Sequence, residues 1–207
     1  MALTDVDICN KALTKLGART IASIAVPTND TERACAKLYT ETKAMWLAAH
    51  PWRFTVKRVL LVAAAAPVNR WTYGWSMPGD AIAGTGPLAL FNAVGANVAP
   101  QKDWEFTAGV VETNTTPVYA DYQFNVSEAS WPPLFVAFAE AAFAAELGPI
   151  VQDRSTAAND YRVEAWGTPG EGGSGGKFGF AKRRLAMYRP PQSFMQDEGP
   201  LAEARFR

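Results

Sequence analysis

The sequence predicts an α+β fold, mainly α: a helical bundle with a small antiparallel β-sheet inserted into it and an extended carboxyl-terminal arm. Three observations carry this prediction. Apolar residues recur at three- and four-residue steps before about residue 70 and again after about residue 127, as they do along amphipathic helices. Between Trp71 and Phe124 the period shortens to two, and short β-branched or aromatic runs alternate with Gly, Pro and Asn. From Gly167 the composition turns abruptly glycine-rich and then basic. The organisation expected is therefore a bundle over 1–70 and 127–166, a β subdomain over 71–126, a linker over 167–176 and a basic arm over 177–207.

Thr4 followed by Asp7 reads as the cap of a first helix, with Ile8, Cys9, Ala12, Leu13 and Leu16 as its buried stripe and Gly17 as its left-handed end. Residues 18–29 read as a connector. Asn29 with Glu32 three residues on starts a second, longer helix. Its stripe, counted from Cys35, runs through Leu38, Tyr39, Thr42, Met45, Trp46 and Ala49. Pro51 disfavours helical geometry at His50 and stops it, so that Trp52 and Phe54 fold back on the stripe around Trp46. The next stretch, 55–62, is ambiguous: β-branching favours a strand, continuity with the helix favours another turn.

Trp71, Tyr73 and Trp75 alternate with Thr72, Gly74 and Ser76, giving a strand with one aromatic face. Further short strands are expected at 88–91, 104–106, 109–112 and 118–124. Ser130 opens a third helix with Pro132 and Pro133 in its first turn, where amides lack helical partners anyway. Its alanine-rich face around Phe135 and Phe138 lets another helix approach closely, and Gly148 and Pro149 end or kink it. A fourth, polar helix is expected over 153–166, anchored by Tyr161 and Trp166. The decapeptide GTPGEGGSGG then reads as a flexible linker. Past it, seven basic residues stand against three acidic ones among interspersed aromatics, as in a segment that orders on a partner.

The whole chain of 207 residues balances 20 basic against 20 acidic side chains and is 48% hydrophobic, enough for an ample core. Overall neutrality argues against wrapping nucleic acid or clinging to an acidic membrane surface, so any basic patch is local. The apolar runs around residues 60–66 and 135–147 fall short of the roughly 20 uninterrupted residues that a bilayer requires. Cys9 and Cys35 fall on apolar helix faces and read as free core thiols, with a disulfide as the alternative. A single histidine, His50, leaves no material for a histidine triad or a multi-histidine metal site, and no catalytic, metal or cofactor residues are assigned. The glycine-rich stretch lacks the Gly-Lys-Ser/Thr ending of a phosphate loop. Glu140 and Glu146 are the candidates for a carboxylate pair, a role that only their separation in space decides. Asp80 after Pro78 fits a turn.

Three stretches, ICNKALTKLG at 8–17, ERACAKLYTETKAMWLAAHPWRF at 32–54 and WTYGWSMPGDAI at 71–82, carry a resemblance. In this order they resemble the head-to-tail adaptors of short-tailed bacteriophages, the tail tubular protein A family, over roughly the first 165 residues. The resemblance implies a structural virion protein and no enzyme. It implies a twelve-fold ring beneath the portal, its other face on the tail nozzle and double-stranded DNA passing non-specifically through its channel. Such a protein resides in the host cytoplasm during assembly and then in the virion, without a membrane partner. On this reading the portal contacts are expected from Lys182, Arg183, Arg184, Tyr188, Arg189 and Phe194, while Trp46, Pro51, Trp52 and Phe54 organise the core. Two other readings remain open: a cell-wall hydrolase acting through a carboxylate pair, and a DNA-binding module using the basic arm.

Overall fold

The computed structural model describes residues 2–64, 70–95, 98–151, 155–171 and 175–187. Among them, helices α1 (Asp5–Lys15) and α2 (Asp30–Ala48) precede the strands, and α3 (Pro133–Val151), α4 (Ser155–Trp166) and α5 (Gly176–Ala186) follow. The strands are β1 (Val56–Leu60), β2 (Val62–Ala63), β3 (Tyr73–Ser76), β4 (Ala89–Phe91), β5 (Trp104–Thr107), β6 (Val110–Thr113) and β7 (Tyr119–Gln123). The fold is mixed helix and sheet, with the helices sharing one core and the strands another.

The first helix forms as its sequence dictates. The Thr4 hydroxyl accepts from the Asp7 amide at 3.2 Å while the Asp7 carboxylate accepts from the Thr4 amide at 2.9 Å, a reciprocal cap. Ile8, Cys9, Ala12, Leu13 and Leu16 are all buried, and Gly17 takes a φ of +67° just past the end. Helix α2 is capped by Asn29, which accepts from the Glu32 amide at 2.9 Å. The Glu32 carboxylate itself reaches further back, accepting from the Thr28 amide at 2.6 Å, the Thr28 hydroxyl at 2.8 Å and the Ala22 amide at 3.3 Å. Those bonds, the Thr28 amide first, hold its carboxyl down to about 2. The connector is fastened at its other end by Asn10, whose side-chain amide bonds both backbone groups of Ile21.

The stripe of α2 is only partly as its spacing implies. Cys35, Tyr39, Thr42 and Trp46 are buried, but Met45 is 47% exposed and Ala49 faces solvent. Met45 lies about 80° around the helix from Cys35, on the rim of the stripe, and Ala49 caps the exit. Leu47, on the opposite flank, is fully buried because the chain turns at the exposed Pro51 and covers that side. Trp52 then enters the core, its indole Nε1 donating to the Trp46 oxygen at 2.9 Å. Its ring meets Phe135 edge-on at 5.1 Å and Phe178 at 5.5 Å; half-buried Phe54 packs on Phe135 at 5.0 Å. Both cysteines are free and buried in this core.

Helix α3 is apolar nearly all round and packs against α1, α2, α4 and α5. By length and composition it could cross a membrane, and most of it is covered by the other helices. Pro149 does not end it: the helix continues to Val151. A proline in the last turn forfeits one backbone donor, a loss the packed helix tolerates. Just before it, Gly148 lets α4 approach so closely that a Cβ there would stand 2.9 Å from Cβ of Ala158.

The ambiguous stretch after Thr55 is strand. The β region is two small antiparallel sheets rather than one, in strand orders β1-β7-β4 and β2-β3-β6-β5. The chain passes from the first to the second at buried Leu61, whose amide donates to the Val118 oxygen at 2.9 Å. Leu61, Trp75, Leu90, Val111, Val118 and Ala120 fill the space between them. Of the aromatic row, only Trp75 is buried; Tyr73 is 39% exposed, and Trp71 donates its indole N–H to Glu105 at 3.0 Å.

The sheets are tied to the helical core by Gln123 of β7. Its side-chain amide donates to the Leu47 and His50 oxygens at 2.8 Å each and reaches Thr55 Oγ1 at 3.2 Å. Asp80 does more than form a turn: it pairs with Lys57 and accepts from the Tyr122 hydroxyl at 2.8 Å, joining β1, β7 and the 78–81 turn. Lys57 correspondingly holds the Asp80 carboxyl below its ordinary range.

Candidate functional site

The basic cluster Lys182, Arg183 and Arg184 lies on α5, and here the structure corrects the expectation of an extended arm. Residues 176–186 are helical, with Phe178, Gly179, Ala181 and Leu185 buried against α3 and α4. The spacing of Phe178, Ala181 and Leu185, three then four, is a helical stripe, legible as such but masked by the glycines before it. Tyr188, Arg189 and Phe194 lie outside the described residues.

Those glycines also do something other than loosen the chain. Gly176 has a φ of +56°, and a Cβ there would come 2.8 Å from the oxygens of both Glu164 and Ala165. Gly167 has a φ of +85°, and a Cβ there would meet the Gly175 backbone at 2.7 Å. The two ends of the stretch are thus pressed together, so that α5 starts directly against the end of α4. Glu171 locks the turn between them by accepting from the Thr168 amide at 2.6 Å and its hydroxyl at 2.9 Å, which lowers its carboxyl; Arg183 adds to the lowering.

The two faces of α5 have opposite chemistry. Inward, Phe178 stacks with Trp166 at 5.0 Å and Phe138 at 5.3 Å. Outward, Phe180 is 47% and Met187 72% exposed. The Arg184 guanidinium lies 6.0 Å from the Phe180 ring centre and 4.0 Å from the Met187 sulfur, so that cation and apolar groups form one strip along the helix. Arg183 and Arg184 are exposed and Lys182 is half-buried. At the start of the helix Lys177 pairs with Glu164 at 2.5 Å, and Lys15 reaches the same carboxylate at 3.1 Å. Burial raises the Glu164 carboxyl, but the two ammonium groups outweigh it and the net shift is down.

His50 packs its ring on Trp52 at 5.0 Å, and burial, then the Lys182 charge, lowers its pKa. Trp46, Trp52 and Phe54 all take part in the core beneath α5, and Pro51 makes the turn that delivers them. A surface carrying adjacent cations and apolar side chains on a rigid helix suits binding to a macromolecule with acidic groups around apolar ones.

A cleft of about 450 Å³ lies between α2 and the 81–83 and 125–128 segments. In it Glu128 accepts from the Tyr39 hydroxyl at 2.9 Å and the Lys43 ammonium at 2.8 Å. Burial raises the Glu128 carboxyl and Lys43 more than reverses this, while burial and Glu128 push the Tyr39 hydroxyl up. Each polar group thus satisfies another. Glu140 pairs with Lys11 at 2.8 Å, and Glu146 lies six residues on, about 240° around α3, so the helix does not bring these two carboxylates together. Among the described residues no three His, Cys, Asp or Glu side chains gather as a metal site would need. No protein-family model matches this chain, and a search of characterised proteins finds no match either.

Proposed function

We propose that this chain is a structural virion protein, a head-to-tail adaptor subunit that joins a portal to a tail nozzle. Several copies, twelve by the resemblance, form a ring through whose channel double-stranded DNA passes. The observation that carries the reading is where the resembling stretches fall. Residues 8–17 and 32–54 supply α1, α2 and the Trp46–Trp52 pair at the centre of the core, and 71–82 supplies β3 and the Asp80 junction. A ring of repeated heterologous contacts needs such rigid subunits, because only a fixed rotation closes. The outward strip of α5, with Arg183, Arg184, Phe180 and Met187, supports a portal-facing surface. On this reading the subunit resides in the host cytoplasm during assembly and then at the head-tail junction of the virion.

The test is a portal-binding measurement with R183E/R184E in the full-length chain. Reduced capture on immobilised portal, with an unchanged circular dichroism spectrum, supports the reading; capture equal to wild type removes α5 from the interface.

A further inference from the structure

We propose that the cleft beside α2 is a binding site for an arginine side chain presented by another polypeptide. This site is independent of α5 and of the portal-binding measurement. The cleft, of about 450 Å³, falls within the size range of small-ligand sites and lies between α2 and the 81–83 and 125–128 segments. Much of its wall is apolar: Leu47 and Ile82 are buried there, with Ile24 and Ala44 half-buried beside them. Such a wall suits a methylene stem, which a long cationic side chain lays along apolar surface while its head keeps a polar setting.

The charges in the cleft are unequal. Among the described residues it is lined by two carboxylates, Asp5 and Glu128, and by one ammonium, Lys43. Lys43 is already engaged: it pairs with Glu128 at 2.8 Å and lies 5.8 Å from the centre of the Trp131 ring. The Tyr39 hydroxyl donates to the same carboxylate at 2.9 Å, yet both bonds fall on Oε1 and neither uses Oε2. The Glu128 side chain is only 13% exposed, so its charge acts where water screens it weakly. One further cation would neutralise the lining. A guanidinium suits it better than an ammonium, because its planar fork carries five donors and can serve more than one carboxylate at a time. The exposed Thr40 hydroxyl and Asn125 amide at the mouth of the cleft suit the backbone groups of a peptide. A free amino acid is the poorer match, since its own carboxylate would meet Asp5 and Glu128 with no unengaged cation in the lining.

The experiment is a proton–nitrogen NMR titration of the full chain with three probes: Nα-acetyl-arginine-N-methylamide, its norleucine counterpart and free arginine. The expected result is saturating shifts confined to residues around 39–44, 81–83 and 125–128, with a dissociation constant for the blocked arginine on the order of a millimolar. The norleucine compound and free arginine are each expected to bind about tenfold more weakly. E128Q is expected to weaken the blocked arginine by about the same factor. T40K, at an exposed position in the lining, serves as a second variant, which keeps the test open if E128Q does not fold. It supplies the missing cation in place and is expected to reduce binding as much. No saturable shifts, shifts confined to another surface, equal binding of the norleucine compound, or wild-type affinity in a folded variant overturns the proposal. Free arginine binding as tightly as the blocked form overturns the assignment to a polypeptide.

Discussion

The indole N–H of Trp52 donates to the backbone oxygen of Trp46 at 2.9 Å, closing the seven-residue loop 46–52 around Pro51. Both rings are fully buried, and between them they touch Tyr39, Phe135, Phe138, Phe143 and Phe178. One hydrogen bond therefore fixes how α2 hands the chain to the sheets and where α5 can sit. Trp52→Phe keeps an aromatic ring but leaves the Trp46 carbonyl unpaired and part of the volume empty. The expected loss is about 2–4 kcal/mol in urea denaturation, and Trp52→Ala is expected to cost at least as much.

Gln123 is the corresponding tie from the sheet side. Gln123→Leu preserves most of the volume while stripping the buried Leu47 carbonyl of its side-chain donor and leaving the His50 carbonyl with the Trp52 amide alone. A destabilisation of about 2–3 kcal/mol is expected. Titrations that follow far-ultraviolet circular dichroism and tryptophan fluorescence should move together, since the tie joins the two cores.

Gly148 and Ala158 set the separation of α3 and α4. Gly148→Ala improves intrinsic helix propensity by about 1 kcal/mol, yet its methyl would stand 2.9 Å from that of Ala158, which cannot rotate away. The clash is expected to win, with a net loss of about 1–2 kcal/mol in thermal or urea unfolding. Adding Ala158→Gly relieves it, so a double-mutant cycle should show coupling between the two sites.

Glu32 gives stability a defined acid limb. Its carboxyl is held down to about 2 by the amides and hydroxyl it accepts from, against an ordinary value of about 4.5. The stabilisation is complete above the unfolded value and is lost as the pH falls from there toward the folded one. Glu32→Gln should be less stable than wild type at pH 7 and should show a shallower fall between pH 5 and 2. Parallel stability curves for the two proteins would contradict this role.

Where side chains act on their own chain neighbours, the sequence was enough to read the structure. Thr4 with Asp7, the stripe from Ile8 to Leu16, Gly17 and the Asn29 cap are all local, and all stand where the spacing puts them. What escaped reading depended on distant partners. Leu47 is buried and Met45 is not because the chain folds back on one flank of α2, which no periodicity within the helix reveals. Pro149 continues α3 because it falls in the last turn. The split into two sheets turns on Leu61, a single residue at which the strand changes partners. The glycines from 167 to 176 read as a flexible spacer, whereas Gly167 and Gly176 allow backbone contact that any side chain would block. Of the portal-facing candidates, the sequence located Lys182, Arg183 and Arg184 by charge alone. That α5 splits them, with Lys182 half-buried and Arg184 outward with Phe180, required the fold.

The adaptor reading is tested most directly by mass. Light scattering would be recorded for the full-length chain alone and then mixed with the portal protein encoded by the same genome. The account predicts a complex in which the two chains join in a fixed ratio near one to one. A protein whose mass is unchanged by portal at any ratio would contradict it.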